Sequence, residues 1–337
     1  MGRLRESDDV IIATKAAVAH SGVAVLPYQW VVVGVGGRLS TSTSTTANSW
    51  TSQTSSFSSD NIYSVCANGQ NLYVAVGHSG KLATSPDGIT WTQQTSSFGA
   101  DQIRDVAWTG SKWVAVGTSG KIATSSDGIT WTQQTSGTAN TLLRVAYGGG
   151  VIVTTDESGT GRRSSDGGTT WLATGSTSLG AGAGDALTYS SVSSTWLAGQ
   201  DNGTTGALAS APTAGTPWTA RNAPQTLNGT EPGGAEGNAS VTVYTGHDAR
   251  IFTTTDGTSF TNRTPAYTTN SQKYDVAVDD LGTFAVLSWN NSGYDWYIET
   301  SSNGTTWTGQ GIAVNTTTFN AYPSRICHSS GKYAARP

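Results

Sequence analysis

Cysteine is nearly absent from this 337-residue chain, which contains only Cys66 and Cys327. Two cysteines cannot build the framework of a small disulfide-stabilised fold. A bond between the two remains an alternative, because it requires only that their Cα atoms lie close together. We expect them instead to be small, buried apolar side chains.

Charge is also scarce, with 12% charged residues and a formal net charge of −4. The lack of a basic patch argues against nucleic-acid binding. No apolar run approaches the roughly 18 residues of a membrane span. Asp8 and Asp9 stand where a signal peptide carries positive charge, and Lys15 interrupts the apolar stretch that follows, so we expect no secretion by that route.

Patterns that bind metals or cofactors are missing as well. The four histidines, His20, His78, His247 and His328, do not have ligand spacing. Asp279-Asp280 and Asp201-Asn202 form no calcium loop of a known kind. The Gly-x-Gly runs precede no predicted helix, so they indicate turns rather than phosphate-binding loops. The sequence predicts neither a metal nor a cofactor.

Glycine and aromatic residues are abundant instead, with 42 Gly, 12 Trp and 12 Tyr. The run GKLATSPDGITWTQQTS from Gly80 recurs as GKIATSSDGITWTQQTS from Gly120, a step of 40 residues. Repeats of this length are typical of propellers and solenoids, and the frequent Gly and β-branched residues exclude helical repeats. One aromatic residue marks the same place in seven units: Trp50, Trp91, Trp131, Trp171, Trp218, Phe260 and Trp307. We therefore predict an all-β, seven-bladed β-propeller with four-stranded antiparallel blades.

Both ends of the chain bear on how the ring closes. The first unit begins at its second strand, Trp30–Gly34, and Arg325–His328 resembles the missing first strand. We predict that these N- and C-terminal strands pair in one blade, which leaves no free sheet edge there. Blade six is the weakest unit, with Thr226–Glu231 as a poor first strand. Residues 28–337 then form the propeller, and residues 1–27 are an extension that either packs on the domain's own edge or docks onto a larger assembly.

The turn before each repeated aromatic carries a family resemblance. Ser164–Trp171, with the sequence SSDGGTTW, matches the Asp-box, or bacterial neuraminidase repeat, and Ser85–Trp91 and Ser125–Trp131 match it one residue shorter. The chain therefore resembles the Asp-box propellers, which include sialidases, sorting receptors, photosystem assembly factors and phage proteins. The resemblance implies a structural role for six residues: Asp87, Asp127, Asp166, Trp91, Trp131 and Trp171. The aspartates are expected to accept hydrogen bonds from turn amides, and the tryptophans to be buried between blades.

Residues for catalysis do not assemble from the sequence. A sialidase-like enzyme would have an arginine cluster, a nucleophilic Tyr with its Glu, and an acid Asp. Sialidases also carry an Arg-Ile-Pro tripeptide early in the chain, and no such tripeptide occurs near the first strand here. Arg325-Ile326-Cys327 lies at the other end of the chain. We expect no enzymatic activity and name no catalytic residue.

The inner strands place polar residues at one mouth of the predicted channel. We align the inner strands from their polar residue, which is Ser64, Asp105, Arg144, Asp275 or Arg325, and call it the first position. The third position then holds Ala or Cys, as expected where blades converge. This polar rim either pairs its own charges or binds a ligand or ion. Loops at the same mouth carry Tyr267, Tyr294, Trp296 and Tyr322, and aromatic residues in loops are enriched at binding sites. Trp296 alternatively packs inward from a strand.

Taken together, these features favour a non-enzymatic interaction propeller that resembles phage tail and decoration proteins. We expect a virion location, with residues 1–27 contacting other virion proteins and the mouth contacting a host-surface glycan or protein, or reinforcing the particle. A carbohydrate-active enzyme of the sialidase type and a bacterial assembly factor are the alternatives, with a cytoplasmic or bacterial-surface location. The assembly factor would require a cationic groove.

Overall fold

The structure, a computed structural model, describes residues 30–43, 50–175, 183–201, 205–215, 217–221, 227–228, 232–246, 250–266, 271–279, 281–290, 295–310 and 323–328. Within them the chain forms seven antiparallel sheets, each of which is one blade. Three single-turn 3-10 helices follow second strands, at Val35–Gly37, His78–Gly80 and Thr118–Gly120.

The strands of the first four blades are short and regular. The first blade contains β1 (Trp30–Gly34), β2 (Leu39–Ser42) and β3 (Thr51–Gln53). The second contains β4 (Ile62–Ala67), β5 (Tyr73–Gly77), β6 (Leu82–Ser85) and β7 (Thr92–Gln94). The third contains β8 (Ile103–Trp108), β9 (Trp113–Gly117), β10 (Ile122–Ser125) and β11 (Thr132–Gln134). The fourth contains β12 (Leu142–Gly148), β13 (Val151–Asp156), β14 (Arg162–Ser164) and β15 (Leu172–Ala173).

In the later blades, the inner strands of the fifth and seventh are longer than those of the first four. The fifth contains β16 (Ala183–Ser190), β17 (Thr195–Asp201), β18 (Thr205–Ala211) and β19 (Thr219–Arg221), with β20 (Leu227–Asn228) paired to β18. The sixth contains β21 (Pro232–Gly237), β22 (Thr242–Gly246), β23 (Arg250–Thr254) and β24 (Thr261–Arg263). The seventh contains β25 (Ser271–Val278), β26 (Phe284–Asn290), β27 (Asp295–Ser301) and β28 (Thr308–Gln310). The last strand, β29 (Pro323–His328), is the inner strand of the first blade.

The ring closes as the two chain ends predict. β29 pairs antiparallel with β1, with Trp30 opposite His328 and Val32 opposite Ile326. The inner strands contact one another in the closed order β29, β4, β8, β12, β16, β21, β25 and again β29. The seven blades, their antiparallel strands and the shared first blade are therefore confirmed.

Burial follows the position of each strand in its blade. The second strands β5 and β9 are buried at every residue, because both of their faces pack against neighbouring blades. The outer strands β7 and β11, with the sequence TQQ, are mostly exposed. Core clusters lie between consecutive blades, and the one between the second and third contains Phe98, Trp108, Trp113 and Trp131. Continuous apolar runs thus mark second strands, and polar runs mark outer strands.

The inner strand of blade six differs from the prediction. It is β21, Pro232–Gly237, rather than Thr226–Glu231. Its sequence, PGGAEG, has little strand propensity, so it is specified by its surroundings. Ala235 is buried in the cluster with Tyr244 and Phe252, and the Asn238 N–H donates to the Val241 carbonyl at 3.0 Å to close the turn into β22.

Candidate functional site

The inner strands bring Asp105 into contact with both neighbouring blades. Its carboxylate is 2% exposed. Oδ1 accepts a hydrogen bond from the Ser64 hydroxyl of β4 at 2.6 Å, and Oδ2 accepts one from the Val145 N–H of β12 at 2.9 Å. Hydrogen bonds to an ionised acceptor are stronger than neutral ones. One side chain therefore connects the second, third and fourth blades.

Asp275 occupies the equivalent place where the ring closes. It is also 2% exposed, and its Oδ2 accepts the N–H of Ile326 in β29 at 3.0 Å. On its other side lies Gly234, where a Cβ would collide with Asp275 Oδ1. Gly234 therefore leaves room for the Asp275 carboxylate, at the position where Ser64 faces Asp105. The N–H groups that Asp105 and Asp275 accept belong to Val145 and Ile326. Each of these residues directly follows a predicted rim arginine, Arg144 or Arg325.

Arg144 lies between these carboxylates in the lining of a cavity. It is partly buried, and its Nη1 donates to the Leu143 carbonyl at 2.8 Å. The cavity comprises about 500 Å³, including the solvent at its open end, and is lined by β8, β12, β16, β21 and β25. Its polar side chains come from six residues: Asp105, Arg144, Tyr147, Thr188, Glu236 and Asp275. The structure thus brings together three of the five predicted rim residues around one cavity.

Glu236 is a cavity residue that the sequence analysis missed. The small residues of the aligned inner strands are Cys66, Ala107, Ala146 and Ala277. At the same level β16 and β21 place Thr188 and Glu236. Glu236 is 6% exposed, and its Oε1 accepts the N–H of Gly237 at 3.4 Å. It was missed because the inner strand of blade six was misplaced. The available signal was Asn238, which accepts turn amides as Asn68 does in blade two.

The predicted structural aspartates lie in turns between third and outer strands. Asp127 Oδ1 accepts the N–H groups of Thr130 and Ile129, both at 2.8 Å, and the Ser125 hydroxyl at 2.9 Å. The Thr130 and Ile129 N–H groups lower the pKa of Asp127 to about 2. Asp87 and Asp166 accept equivalent bonds. The Thr170 hydroxyl and N–H hold the pKa of Asp166 well below its usual range.

The same turn geometry extends to the two more divergent units. Asp256 accepts the N–H groups of Thr258 and Ser259, and Asn303 those of Thr305 and Thr306. The indole N–H groups of Trp91, Trp131 and Trp171 donate to the carbonyls of Gly88, Gly128 and Gly168 at 2.9, 2.9 and 3.0 Å. The three side chains differ little in burial, since Trp131 and Trp171 are buried and Trp91 is partly buried. Assignment to the Asp-box family itself stays a prediction.

Several predicted residues lie outside the described part of the chain. Tyr267, Tyr294, Tyr322 and residues 1–27 are among them. Trp296 and Arg325 belong to β27 and β29, but their side chains are not described. Cys66 is buried, with its thiol donating to the Ala67 carbonyl at 3.5 Å, and the Cys327 side chain is not described. The binding role of the rim and loop residues therefore stays a prediction.

The described residues also bear on metal binding and on membrane insertion. Among them, no three His, Cys, Asp or Glu side chains are grouped so that they could hold a metal ion. No helix in the described ranges is long and apolar enough to cross a membrane.

Comparison with known proteins supports a β-propeller family. A family model described as the DUF6242 beta propeller domain matches residues 12–103. Among curated proteins, none matches the chain.

Solved structures resemble the chain in fold. YCF48 bound to D1 peptide is 15% identical, with 86% of each chain covered and a TM-score of 0.56. The WD40 β-propeller domain of Doa1 is 10% identical, with 84% of this chain and 94% of that chain covered and a TM-score of 0.59. A protein from Bacteroides uniformis, provisionally named a 6-phosphogluconolactonase, is 12% identical, with 89% of this chain and 99% of that chain covered and a TM-score of 0.61. At these identities the likeness shows the fold alone.

Proposed function

We propose that this protein is a non-enzymatic interaction propeller of a bacteriophage particle, which binds a host-surface glycan or protein at the mouth of its channel. Residues 1–27 would contact other virion proteins. The support for a virion protein is the weakly charged composition and the near-identical tandem blades two and three. A propeller scaffold alone does not define a function, so the proposal depends on the mouth.

The observation that carries the proposal is that both carboxylate oxygens of Asp105 are bonded to neighbouring blades. Most glycoside hydrolases need a carboxyl group that exchanges a proton with the substrate and a second that attacks it or activates water. Both oxygens of Asp105 instead accept hydrogen bonds from neighbouring blades, at 2.6 Å and 2.9 Å. Asp275 makes the equivalent bond to Ile326. These carboxylates serve the packing of the ring, which favours a rigid binding platform over a pair of catalytic carboxylates.

The cavity beside them suits a small polar group of a partner. Its enclosed space is only about 30 Å³, and the rest of the 500 Å³ is open to solvent, so a partner group would enter from the mouth. Arg144 supplies a cationic donor for an acidic group, while Glu236 and Thr188 supply acceptors for hydroxyl or amine groups. A single sugar unit or one long side chain would fit this chemistry.

The assembly-factor alternative is favoured by the likeness to YCF48, whose structure contains a bound D1 peptide. Such a function calls for a cationic groove. The described polar lining of the cavity has three carboxylates, Asp105, Glu236 and Asp275, against the one guanidinium of Arg144. This charge balance disfavours that alternative.

The test measures binding of the labelled full chain to host cells and to purified phage particles. We expect association with at least one of them, and at least about tenfold weaker host binding for Arg144→Ala and Glu236→Gln at unchanged thermal stability. Gln133→Ala, an exposed change on outer strand β11, is the matched control and should bind normally.

Two results would count against the proposal. Failure to associate with either surface would remove the virion role, and unchanged binding by both mouth variants would remove the mouth as the site. Turnover of a fluorogenic glycoside panel that Glu236→Gln abolishes would instead establish the enzyme alternative.

A further inference from the structure

The turn between the third and outer strands of blade seven carries an amide where four other blades carry a carboxylate. Asn303 stands at the position of four aspartates: Asp87, Asp127, Asp166 and Asp256. Its Oδ1 accepts the N–H groups of Thr305 and Thr306 at 2.8 and 2.9 Å. Two N–H donors require an acceptor, so they fix which end of the amide is the oxygen. The residue that follows is Gly304, which makes this an Asn-Gly pair.

The Ser301 hydroxyl connects the peptide nitrogen of Gly304 to that amide oxygen. Its Oγ accepts the Gly304 N–H at 2.8 Å and donates to Asn303 Oδ1 at 3.1 Å. A proton can therefore pass from the nitrogen to the hydroxyl while the hydroxyl proton passes to Oδ1. The N–H lies in the peptide plane and the attacking orbital of the nitrogen is perpendicular to that plane, so the bond to Ser301 leaves the nitrogen able to attack.

This arrangement suits attack of the Gly304 nitrogen on the side-chain carbonyl carbon of Asn303. Glycine has no Cβ to hinder the approach. Negative charge develops on Oδ1 during the attack, and donors already aimed at a developing oxyanion lower the barrier. Thr305, Thr306 and Ser301 supply three such donors. Asn303 is exposed, so solvent water reaches the reacting group.

We infer that Asn303 is a self-modification site, which its own turn converts to aspartate with solvent water as the co-reactant. The Gly304 nitrogen bonds to Cγ of Asn303 and passes its proton through Ser301. The bond from Cγ to Nδ2 then breaks, and ammonia leaves with that proton, so a five-membered cyclic imide remains. Water adds its hydroxyl at Cγ, the bond from Cγ to the Gly304 nitrogen breaks, and the nitrogen takes the second proton of the water. One water is consumed, one ammonia is released and no group is oxidised or reduced.

The product depends on which carbonyl of the imide the water attacks. Attack at Cγ gives aspartate, whereas attack at the main-chain carbonyl gives isoaspartate. The N–H groups of Thr305 and Thr306 bond to the oxygen on Cγ, so they activate that carbon and favour aspartate. An aspartate at this position is an ionised acceptor for the same two donors, and hydrogen bonds to ionised acceptors are stronger. Blade seven then has the charged turn of blades two, three, four and six.

Asn68-Gly69 of the second blade is an internal control. It is the other Asn-Gly pair for which both residues lie within the described ranges. Asn68 Oδ1 also accepts turn amides, those of Gln70, Asn71 and Leu72, each at 3.0 Å. However, Asn68 is 6% exposed, and its Nδ2 donates to Asn71 Oδ1 at 2.9 Å. Its leaving group is therefore bonded and screened from water, and we expect it to remain asparagine.

The test follows the amide-to-acid mass change at Asn303 and Asn68 by peptide mapping of the full chain. One sample is stored folded at neutral pH and a second is stored unfolded in urea, and fragmentation distinguishes aspartate from isoaspartate. We expect Asn303 to convert at least about tenfold faster in the folded protein than in the unfolded one. The folded product should be mainly aspartate, and Asn68 should stay unchanged in the folded sample.

Variants at Ser301 isolate the proton path. Ser301→Ala removes the hydroxyl and should slow the conversion at least about tenfold. Ser301→Thr is the matched control and should keep the native rate. Blade six already contains a threonine at this place, where Thr254 accepts the Gly257 N–H at 2.9 Å and donates to Asp256 at 3.2 Å.

Asp87→Asn transfers the same arrangement to blade two. There Ser85 Oγ accepts the Gly88 N–H at 2.8 Å and donates to Asp87 at 3.0 Å, and the N–H groups of Ile89 and Thr90 hold the same oxygen. We expect this variant to revert to the native mass at a rate comparable to that of Asn303.

Several results would overturn the inference. They are conversion of Asn303 no faster in folded than in unfolded protein, an unchanged rate in Ser301→Ala, a slowed rate in Ser301→Thr, an unreactive Asp87→Asn, and a mainly isoaspartyl product from the folded chain. None of these readouts involves the channel mouth, so the inference stands or fails independently of the proposed function.

Discussion

The Asp105 carboxylate accepts the backbone N–H of Val145 at 2.9 Å, so a buried hydrogen bond joins the third blade to the fourth. Its other oxygen holds the Ser64 hydroxyl of the second blade. Asp105→Ala would leave two buried donors without their acceptor, and each costs about 1–3 kcal/mol. We expect the free energy of unfolding in urea to fall by roughly 2–4 kcal/mol. Asp101→Ala removes a partly exposed ion pair with Lys121 and the hydroxyl bonds of Thr118 and Ser119. It should cost about 1 kcal/mol, and a loss equal to that of Asp105→Ala would contradict the inter-blade role.

Asp275 makes the equivalent bond at the closure of the ring, to Ile326 at 3.0 Å. Asp275→Ala should therefore weaken β29 selectively. We expect faster hydrogen exchange at the Ile326 amide and unchanged exchange at Val145, because the third and fourth blades keep their own carboxylate. Asp105→Ala should give the opposite pattern. Uniform acceleration across all blades in either variant would show that the effect is global.

The Asp127 turn predicts a specific dependence of stability on acid. Its pKa is lowered to about 2 by the Thr130 and Ile129 N–H groups, against about 3.9 in an unfolded chain. The carboxylate therefore stabilises the fold fully above pH of about 4, and this contribution is lost as the pH falls toward 2.

Asp127→Asn should remove that part of the acid sensitivity without disrupting the turn. The protein contains its own precedent, because Asn303 accepts the N–H groups of Thr305 and Thr306 at 2.8 and 2.9 Å in the same arrangement. We expect a shallower fall of Tm between pH 4 and 2 in the variant than in the native protein, measured by calorimetry. Parallel curves would refute the assigned pKa.

Two glycines with similar backbone angles allow the cost of a strained backbone to be distinguished from the cost of a steric collision. Gly80 and Gly99 have φ of 65° and 63°, so alanine at either position meets the left-handed penalty of about 1–2 kcal/mol. A Cβ on Gly80 would also collide with the Gly99 carbonyl oxygen, whereas one on Gly99 meets no atom within 4 Å. Gly80→Ala should therefore cost roughly 1–3 kcal/mol more than Gly99→Ala in urea unfolding. Equal costs would mean that the loop moves away freely.

Much of the fold was predictable because the same physical requirements recur in each blade. The predicted inner strands Ile62–Ala67 and Ile103–Trp108 agree with β4 and β8 at both ends. The prediction was wrong for blade six, where Pro232–Gly237 has neither apolar alternation nor β-branched residues. Its strand conformation follows from the blades on either side, which a pattern within one segment does not reveal.

The candidate site was predictable only by position. The polar first positions of the inner strands pointed to a mouth, and Asp105, Arg144 and Asp275 do line one cavity. The sequence did not reveal which atoms the carboxylates would contact. Asp105 bonds to Ser64, 41 residues away, and to Val145, 40 residues away. Glu236 was not predicted because its position in the channel depends on β21, and the strand conformation of β21 is specified only by the neighbouring blades.

By itself, the sequence determined the number of blades, the closure of the ring and the chemistry of the turns. These depend on local requirements that recur about every forty residues: an Asp or Asn for the turn amides, a Gly for positive φ and an aromatic side chain for burial. Tertiary structure alone decided that two buried aspartates hold adjacent blades together and that Glu236 enters the channel. Those contacts join residues from different blades, and their energies exist only when the ring has formed.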